Sequence, residues 1–446
     1  MLDLLLILVF AVLGVLVGVI SGLLPGLHVN SIALILLSVS GSIVALCSPL
    51  SAYGISEQFI VVLICGFIVS VSVSHAFHDS IPTTFLGAPE EDTALSVLPA
   101  HALLLQGRGY EAVVFSAIGS LGAIVVCFLF MYPLRFFIGE PLNMYSQLQE
   151  VMLWVLIAVS IMMLATEKGK INDFGGRGKI PYFIGIGFAT FVFLISGLFG
   201  IVISNLPLSS PIGLPSTVLF PALAGLFGTP TLVTSLFTKP AVPQQTLDVP
   251  LMNRKTQRAT IVSIIGGSLS GMFVSLIPGI SSSTGTVIAM SAHKETDREQ
   301  TIVTLSAVNA ASAFSVVVLL FIILRARSGV TVAINELIPA EEWTTLFMPI
   351  NLVYLLIAVL FSAVLSFFLC LRLAKIAAQH FTVIPYSLLI AFTLGLVFTL
   401  VFLFTGSLGI VILIVATCIG LLPLVWGVRR SHCMGVLLIP VILYFL

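Results

Sequence analysis

The sequence predicts an all-α polytopic membrane protein made of two inverted-topology repeats, with re-entrant or broken helices at Pro-Gly motifs. Composition is the first reason: 59% of the 446 residues are hydrophobic, 8% are charged and the mean hydropathy is +1.21. Soluble domains carry about 25% charged residues. The second reason is a series of apolar stretches of membrane-spanning length, and the third is a Pro-Gly break that occurs twice. The apolar runs do not alternate as membrane strands would.

About 20 apolar residues are enough to span a bilayer, and the chain is predicted to contain about 10–12 membrane segments. Segment 280–291 is too short to span, so with 258–278 it is predicted to form a re-entrant hairpin. By analogy 4–24 and 27–47 form the first hairpin. The polar residues 77–106 are predicted to be a second re-entrant or cavity-lining element. The other apolar segments are 58–76, 110–135, 151–166, 182–203, 214–236, 301–324, 345–371, 384–404, 407–427 and 433–446.

The two Pro-Gly breaks share a local pattern. Gly18 and Gly22 precede the Pro25-Gly26 pair, and a second pair of glycines precedes Pro278-Gly279. Proline removes a backbone donor and glycine opens the left-handed region, so a helix is expected to stop at each break. In a bilayer the freed backbone groups need protein or a wet cavity around them. Paired breaks in two halves of a chain indicate a transporter binding site.

The distribution of basic residues predicts the topology. All of the 18 Lys and Arg residues except Arg135, Arg325 and Arg327 can be placed on one side of the membrane. The positive-inside rule makes that side cytoplasmic and puts both chain termini outside the cell membrane. The first hairpin then starts outside and the second starts inside, so the halves are inverted. We assign residues 1–180 to the first repeat, 181–252 to connecting helices and 253–446 to the second repeat. The apolar N-terminus lacks a basic flank and is interpreted as a retained segment.

The residues around the two breaks are the candidate substrate site. A helix that restarts after a break presents free N–H groups and a positive dipole end, which suit a carboxylate or phosphate. The nearby hydroxyl and amide groups either bind that anion or only cap the helix. The candidates are Pro25, Gly26, His28, Asn30, Ser31, Pro278, Gly279, Ser281, Ser282, Ser283 and Thr284.

Two residues are candidates for binding a coupling ion. His28 could titrate near neutral pH and couple transport to protons, or it is a hydrogen-bonded structural group. Asp79 could be a coupling carboxylate, or it caps a helix. His75 and His78 precede Asp79, but no further ligand cluster accompanies them, so a polar cavity lining is favoured over a metal site.

Further polar groups are candidates for lining the cavity. Thr83 and Thr84 follow a proline and could present hydroxyl and N–H groups to a substrate. In segment 301–324, polar residues recur at three-residue steps on one helix face, which either lines a cavity or packs against another helix. These are Ser306, Asn309, Ser312 and Ser315. Residues 209–230, rich in Pro and Gly, are predicted to form another broken helix.

No enzyme motif is present in the sequence. It contains no Walker loop, no Gly-x-Ser-x-Gly elbow and no zincin pair, so neither catalysis nor a cofactor is predicted. The six cysteines are scattered through apolar sequence without a Cys-x-x-Cys pair, which is typical of small buried residues.

The motifs resemble those of a known family, the large membrane subunit of the tripartite tricarboxylate transporters. The likeness is carried by Gly18, Gly22 and the Leu24–Leu27 break, by Gly271 with Pro278-Gly279, and by residues 81–89, 98–100 and 106–109; 306–313 is weakly similar. The resemblance implies a secondary transporter for organic anions, served by a small membrane subunit and an extracytoplasmic binding protein. Residues 427–440 resemble the corresponding sequence of an archaeal branch of this family.

The resemblance leaves the substrate open. Where the family usually has Gly-Pro after the first break, this chain has His28-Val29, and a serine run follows the second break. The paired breaks are also similar to those of polyprenyl-phosphate translocases, whose phosphate head group would suit the same helix starts. A non-transporting membrane scaffold is a third reading, disfavoured because polar breaks within a membrane are costly.

Overall fold

A computed structural model describes residues 2–24, 29–87, 97–165, 167, 179–213, 218–238, 243–248, 250, 252–277, 282–291, 297–381 and 386–446. Within these ranges the regular structure is entirely helical. The first part of the chain contains α1 (Leu2–Leu23), α2 (Val29–Ser38), α3 (Ser40–Cys47), α4 (Glu57–His78), α5 (Ser80–Phe85), α6 (Val97–Leu104), α7 (Gly109–Ile138), α8 (Met144–Glu150), α9 (Met152–Ala165) and α10 (Lys179–Ser204).

The second part begins with a broken helix, α11 (Leu219–Leu223) and α12 (Thr229–Thr238), joined by a π-helical turn over Ala224–Gly228. This agrees with the break predicted for 209–230. The remaining helices are α13 (Arg254–Val274), α14 (Ser282–Ser291), α15 (Arg298–Ile323), α16 (Gly329–Leu337), α17 (Ile350–Phe381), α18 (Tyr386–Trp426) and α19 (Gly435–Tyr444).

Seven helices in the described ranges are long and apolar enough to cross a membrane, or eight if the bent pair α8 and α9 is one span. The chain is therefore an all-α polytopic membrane protein. The prediction of about 10–12 segments also counted broken and re-entrant pieces such as α14. One of the seven spans runs over Glu57–Phe85, so the polar residues that follow segment 58–76 complete that span.

A face of small residues joins α1 to α4. A Cβ atom built on Gly18 would lie 2.5 Å from the Ser74 Cβ, and one built on Gly22 would lie 2.9 Å from the His78 Cβ. Only glycine lets the two backbones approach this closely, as in membrane helix pairs with small residues at four-residue spacing. Because the contacts advance together along both helices, α1 and α4 run parallel.

The same arrangement occurs between α13 and α15. A Cβ on Gly267 would lie 2.8 Å from the Thr304 carbonyl oxygen, and one on Gly271 would lie 2.6 Å from that of Val308. These contacts also advance in step, so α13 and α15 run parallel. Each helix that leads into a Pro-Gly break is thus held against the next long helix by two glycines.

Each pair takes its third helix from the other half of the chain. Helix α17 joins α1 and α4, with the Cys370 thiol 3.3 Å from the Phe77 carbonyl oxygen. Helix α7 joins α13 and α15, with the hydroxyls of Ser116 and Ser306 2.8 Å apart. Each group of three helices therefore contains helices from both halves of the sequence.

The two groups of three helices run in opposite directions. Helix α7 begins beside Phe85, near the Cys370 end of α17, because a Cβ on Gly109 would lie 3.2 Å from the Phe85 ring. It ends where Arg135 donates to the Trp343 carbonyl, shortly before α17 begins. Helix α7 is therefore antiparallel to α17, and α1 is antiparallel to α13. The repeat boundaries and the membrane side of each terminus remain predictions.

Candidate functional site

The end of α4 places a buried acid in the centre of the molecule. Asp79 connects α4 to α5, and its side chain is 3% exposed. Its carboxylate does not cap α5 by a hydrogen bond, so Asp79 does not have the helix-capping role that was the alternative interpretation. Instead, the Asn309 amide donates to the Asp79 Oδ2 at 3.3 Å. This contact joins the two antiparallel groups of helices.

A small cavity surrounds this contact. Its polar lining comes from Asp79, which connects α4 to α5, and from α5, α7 and α15, so residues distant in sequence share it. The cavity has a volume of about 10 Å³, which is enough for about one water molecule. The lining residues are Ala76, Asp79, Ser80, Thr83, Thr84, Ala100, Ser116, Ile302, Leu305, Ser306 and Asn309.

The cavity lies toward one end of the helices that form it. At a rise of 1.5 Å per residue, Asp79 is about 9 Å from the end of α5 and Ser116 about 10 Å from the start of α7. Asn309 is about 17 Å from the start of α15 by the same measure. These helix ends belong to the side predicted to be cytoplasmic.

Both helices that lead to a break approach this cavity. On the first side, a Cβ on Gly22 would lie 3.2 Å from the Asp79 amide nitrogen. On the second side, the Ser275 hydroxyl donates to the Ser312 hydroxyl at 3.2 Å, one helical turn from Asn309. Helix resumes at Val29 and at Ser282, as expected for restarts after the two breaks.

The structure brings together four of the predicted site residues, Asp79, Thr83, Thr84 and Asn309. Ser282 is buried in the first turn of α14, and its carbonyl accepts from the Thr286 hydroxyl at 3.0 Å. Asn30, Ser31, Ser283 and Thr284 lie in first helical turns, but their side chains are outside the described part of the chain. Pro25, Gly26, His28, Pro278, Gly279 and Ser281 lie outside the described residues.

Two polar lining residues, Ser80 and Ser116, were not among the individual candidates, although Ser80 lies in the stretch 77–106 that was predicted to be re-entrant or to line a cavity. The Ser80 hydroxyl donates to the Phe77 carbonyl at 2.7 Å and Ser116 contacts Ser306. The four-residue spacing of Ser116 and Ser120 on an apolar helix indicates a polar contact on that face, but only the structure shows that both serines meet Ser306. The polar face of α15 serves both predicted purposes, because Ser306 lines the cavity while Ser312 packs against α13.

The two histidines that precede Asp79, His75 and His78, contact serine residues of α1 and α4. The His78 Nδ1 lies 2.7 Å from the Ser74 carbonyl oxygen, so Nδ1 carries the proton because a carbonyl can only accept. The His75 Nδ1 lies 3.0 Å from the Ser21 hydroxyl. In the described ranges no group of three or more His, Cys, Asp or Glu side chains is arranged to hold a metal ion.

An ion-pair cluster joins α7 and α15 on the side of the cavity toward their first residues. Arg108 donates through Nε and Nη2 to Glu111 at 2.6 Å, and through Nη2 to Glu299 at 2.8 Å. The hydrogen bond with Glu111, together with Glu299, raises the pKa of the Arg108 guanidinium above its ordinary value. Glu299 precedes the lining residue Ile302 by about one turn, so this cluster lies close to the cavity on that side.

Comparison with known proteins identifies the family. The profile of the tripartite tricarboxylate transporter TctA family matches residues 8–435. The chain belongs to this TctA family. It is also similar to an uncharacterised protein, MJ1079, of Methanocaldococcus jannaschii, with 27% identity over 447 residues that cover 98% of this chain and 99% of that protein. No solved structure matches the chain.

Membership of the TctA family makes this chain a multi-pass component of a tricarboxylate transporter. Proteins of this family work with a small membrane subunit and a periplasmic binding protein in tripartite systems. The family resemblance carried by the two breaks and by residues 81–89 is thereby confirmed. The family match does not support the alternative of a polyprenyl-phosphate translocase.

Proposed function

We propose that this TctA-family protein is a secondary transporter that moves a small di- or tricarboxylate-like anion across the membrane by alternating access. The observation that carries the proposal is the hydrogen bond between Asn309 and Asp79. It joins two antiparallel helix groups, and each group contains one helix that leads into a Pro-Gly break. A buried polar contact at such a junction is costly inside a membrane unless it serves a function.

The proposed substrate site combines the two helix starts with the cavity. Helices α2 and α14 would direct free N–H groups at the anion's carboxylates. Thr83, Thr84 and Asn309 would add hydroxyl and amide donors, as would the polar residues after each break, Asn30, Ser31 and Ser281–Thr284. The flanking Pro25-Gly26 and Pro278-Gly279 would keep this backbone open.

Asp79 and His28 are the proposed coupling groups. A carboxylate repels an anion, so Asp79 suits a cation better than it suits the substrate. A cation bound at Asp79 would offset the charge of an anion held nearby, which would make the binding of the two cooperative. His28 would titrate in the physiological range if the first break is wet.

The size of the cavity supports an alternating mechanism. Space for about one water molecule cannot hold a tricarboxylate, so a substrate site at the contact between Asp79 and Asn309 would require this cavity to open. Movement of the α1–α4–α17 group against the α7–α13–α15 group would open the site. Rigid-body movement of one repeat against the other is the usual way in which such transporters expose a site to either side.

Two measurements test the proposal. Thermal unfolding of the purified protein is first screened with citrate, other carboxylates, phosphate and a short polyprenyl phosphate, since a ligand of the native state raises the unfolding midpoint. Uptake of radiolabelled citrate into proteoliposomes is then measured. Stabilisation by carboxylates together with uptake is expected. Stabilisation by the polyprenyl phosphate alone would indicate that the substrate is a lipid carrier and not an organic anion.

The proposed partners and orientation can be tested in cells. We propose that a small membrane subunit and an extracytoplasmic binding protein deliver the substrate to the outer face, where both termini lie. A terminal cysteine tag should react with an impermeant thiol reagent in intact cells. Protection of both termini until the cells are lysed would contradict the orientation.

A further inference from the structure

The three arginines that depart from the positive-inside pattern lie at one end of the α7 and α15 pair. Arg135 is in the last turn of α7, and Arg325 and Arg327 directly follow α15. The backbone N–H of Trp343 donates to the Phe321 carbonyl at 2.7 Å, and Arg135 Nε donates to the Trp343 carbonyl at 2.8 Å. Because α7 and α15 are parallel, these contacts hold all three arginines at the same end of the molecule.

The partners of these arginines are carbonyl oxygens and aromatic rings. The Arg135 guanidinium is 5.8 Å from the centre of the Trp343 ring, and Arg325 and Arg327 are 5.8 Å and 5.1 Å from that of Tyr145. In the described part of the chain none of the three forms an ion pair with a carboxylate. Rings and carbonyls bind a cation without cancelling its charge, so the cluster keeps its positive charge.

Arg327 connects this cluster to the second break. It donates to the Tyr145 hydroxyl and to the carbonyl of Leu276, two residues before Pro278. The negative end of the α13 dipole favours a cation at this place. Burial lowers the pKa of Arg327 from its ordinary value, but the guanidinium stays charged at neutral pH.

The Arg327 guanidinium has capacity for an anion. Its Nε is buried and makes no hydrogen bond. A guanidinium binds a carboxylate through two parallel hydrogen bonds, which are stronger than bonds to a neutral carbonyl. A carboxylate bound to this Nε would take its second bond from Nη2 and compete with the Tyr145 hydroxyl, while Nη1 stays on the Leu276 carbonyl.

The central cavity lacks the charge that this cluster supplies. Its described lining includes the Asp79 carboxylate and no lysine or arginine. A multiply charged anion that approached from this side would meet Arg325 and Arg327 first. An entry site of opposite charge concentrates an ion before it reaches an inner site.

We propose that Arg325 and Arg327, supported by Arg135, form an entry site that binds a multiply charged carboxylate beside the second Pro-Gly break. The proposal rests on the proposed function as an organic-anion transporter. Arg325, which is exposed, makes the first contact with the anion. Arg327, which is held by the Leu276 carbonyl, then binds the anion beside the break.

Citrate is the probe for the first test, a binding measurement by equilibrium dialysis on the purified protein in detergent. The double variant R325Q/R327Q should raise the dissociation constant at least tenfold, and R327K, which keeps the charge but loses the two parallel hydrogen bonds, should raise it by a smaller factor. The control is R372Q/K375Q, which removes two exposed charges from the far end of α17 and should bind as the wild type does. Equal citrate affinity in R325Q/R327Q and the wild type would overturn the proposal.

Uptake of citrate into proteoliposomes separates this proposal from the proposed function. In R325Q/R327Q the KM should rise about tenfold while the maximal rate is retained, because only entry is weakened. Wild-type uptake with an unchanged KM in the variant would overturn the entry site and leave transport standing. Arginine-dependent binding of citrate without uptake by the wild type would support the entry site and overturn the transport function.

Discussion

Asn309 donates its side-chain amide to Asp79 across 230 positions of sequence, at 3.3 Å and with both side chains buried. Asp79 ends the helix that packs on α1, and Asn309 lies on the helix that packs on α13. The contact therefore depends on the relative position of the two groups of helices. Any movement that opens the cavity along this junction has to break or lengthen it.

Asn309→Ala should reduce citrate uptake by about 10- to 100-fold, because a hydrogen bond to a charged group contributes about 1.5–3 kcal/mol. The buried Asp79 carboxylate would lose its cross-group donor. Uptake into proteoliposomes measures the effect. Asn335→Ala is the control, since Asn335 is exposed on α16 and should transport normally. Normal uptake by Asn309→Ala would show that transport does not depend on the hydrogen bond between Asn309 and Asp79.

Much of the site could be predicted from the sequence because polar residues are rare in these apolar segments. Asp79, Thr83, Thr84 and Asn309 are polar residues of this kind, and they line one cavity. The ends of α1 and α13 before the two breaks were predictable from proline and glycine chemistry.

The exchange of helices between the halves could not be predicted in this way. Hydropathy shows that α7 and α17 are apolar but does not show which neighbours they pack against. That choice depends on close fits such as Gly119 against the backbone of Val303, where an added Cβ would lie 2.6 Å from the carbonyl oxygen. Ser116 was missed for the same reason, because its importance depends on where α7 packs.

Gly271→Ala should lower the free energy of unfolding by about 1–3 kcal/mol, the usual cost of overpacking. The added Cβ would lie 2.6 Å from the Val308 carbonyl oxygen, and that backbone cannot move without displacing α15. Gly395→Ala is the control, since nothing lies within 4 Å of its added Cβ. Thermal unfolding in detergent should show a lower midpoint for the first variant and an equal or higher one for the second.

Gly26→Leu and Gly279→Leu should each abolish citrate uptake while leaving membrane insertion intact. A bulky residue disfavours the open backbone that a Pro-Gly break requires and fills the space proposed for the substrate. Expression level and elution as a single species in detergent report insertion, and proteoliposome uptake reports function. Gly187→Leu is the control, because an added Cβ there meets nothing within 4 Å. Wild-type uptake by both break variants would remove the breaks from the substrate site.

Arg430 donates hydrogen bonds to backbone carbonyls at the break between α11 and α12. Pro230 has no N–H to offer the Leu226 carbonyl four residues earlier, and the π-helical turn disturbs the bonding of Phe227. The buried Arg430 guanidinium donates to both carbonyls, and to the Thr231 hydroxyl at 2.7 Å. The Phe227 carbonyl also accepts a long hydrogen bond from the Thr231 hydroxyl at 3.4 Å, so the arginine adds a charged donor to backbone groups that the turn leaves poorly paired.

Arg430→Met should lower the free energy of unfolding by about 2–5 kcal/mol, because each buried acceptor left unsatisfied costs about 1–3 kcal/mol. Arg429→Met is the matched control. The Arg429 side chain is 41% exposed and its Nε lies 3.8 Å from the buried Glu167, which keeps its contacts with the Arg429 backbone N–H and with His432, so loss of this long contact should cost less than about 1 kcal/mol. Thermal unfolding of both variants measures the difference. Equal midpoints would mean that water or another donor satisfies the Leu226 and Phe227 carbonyls, and that the π-helical turn does not depend on this arginine.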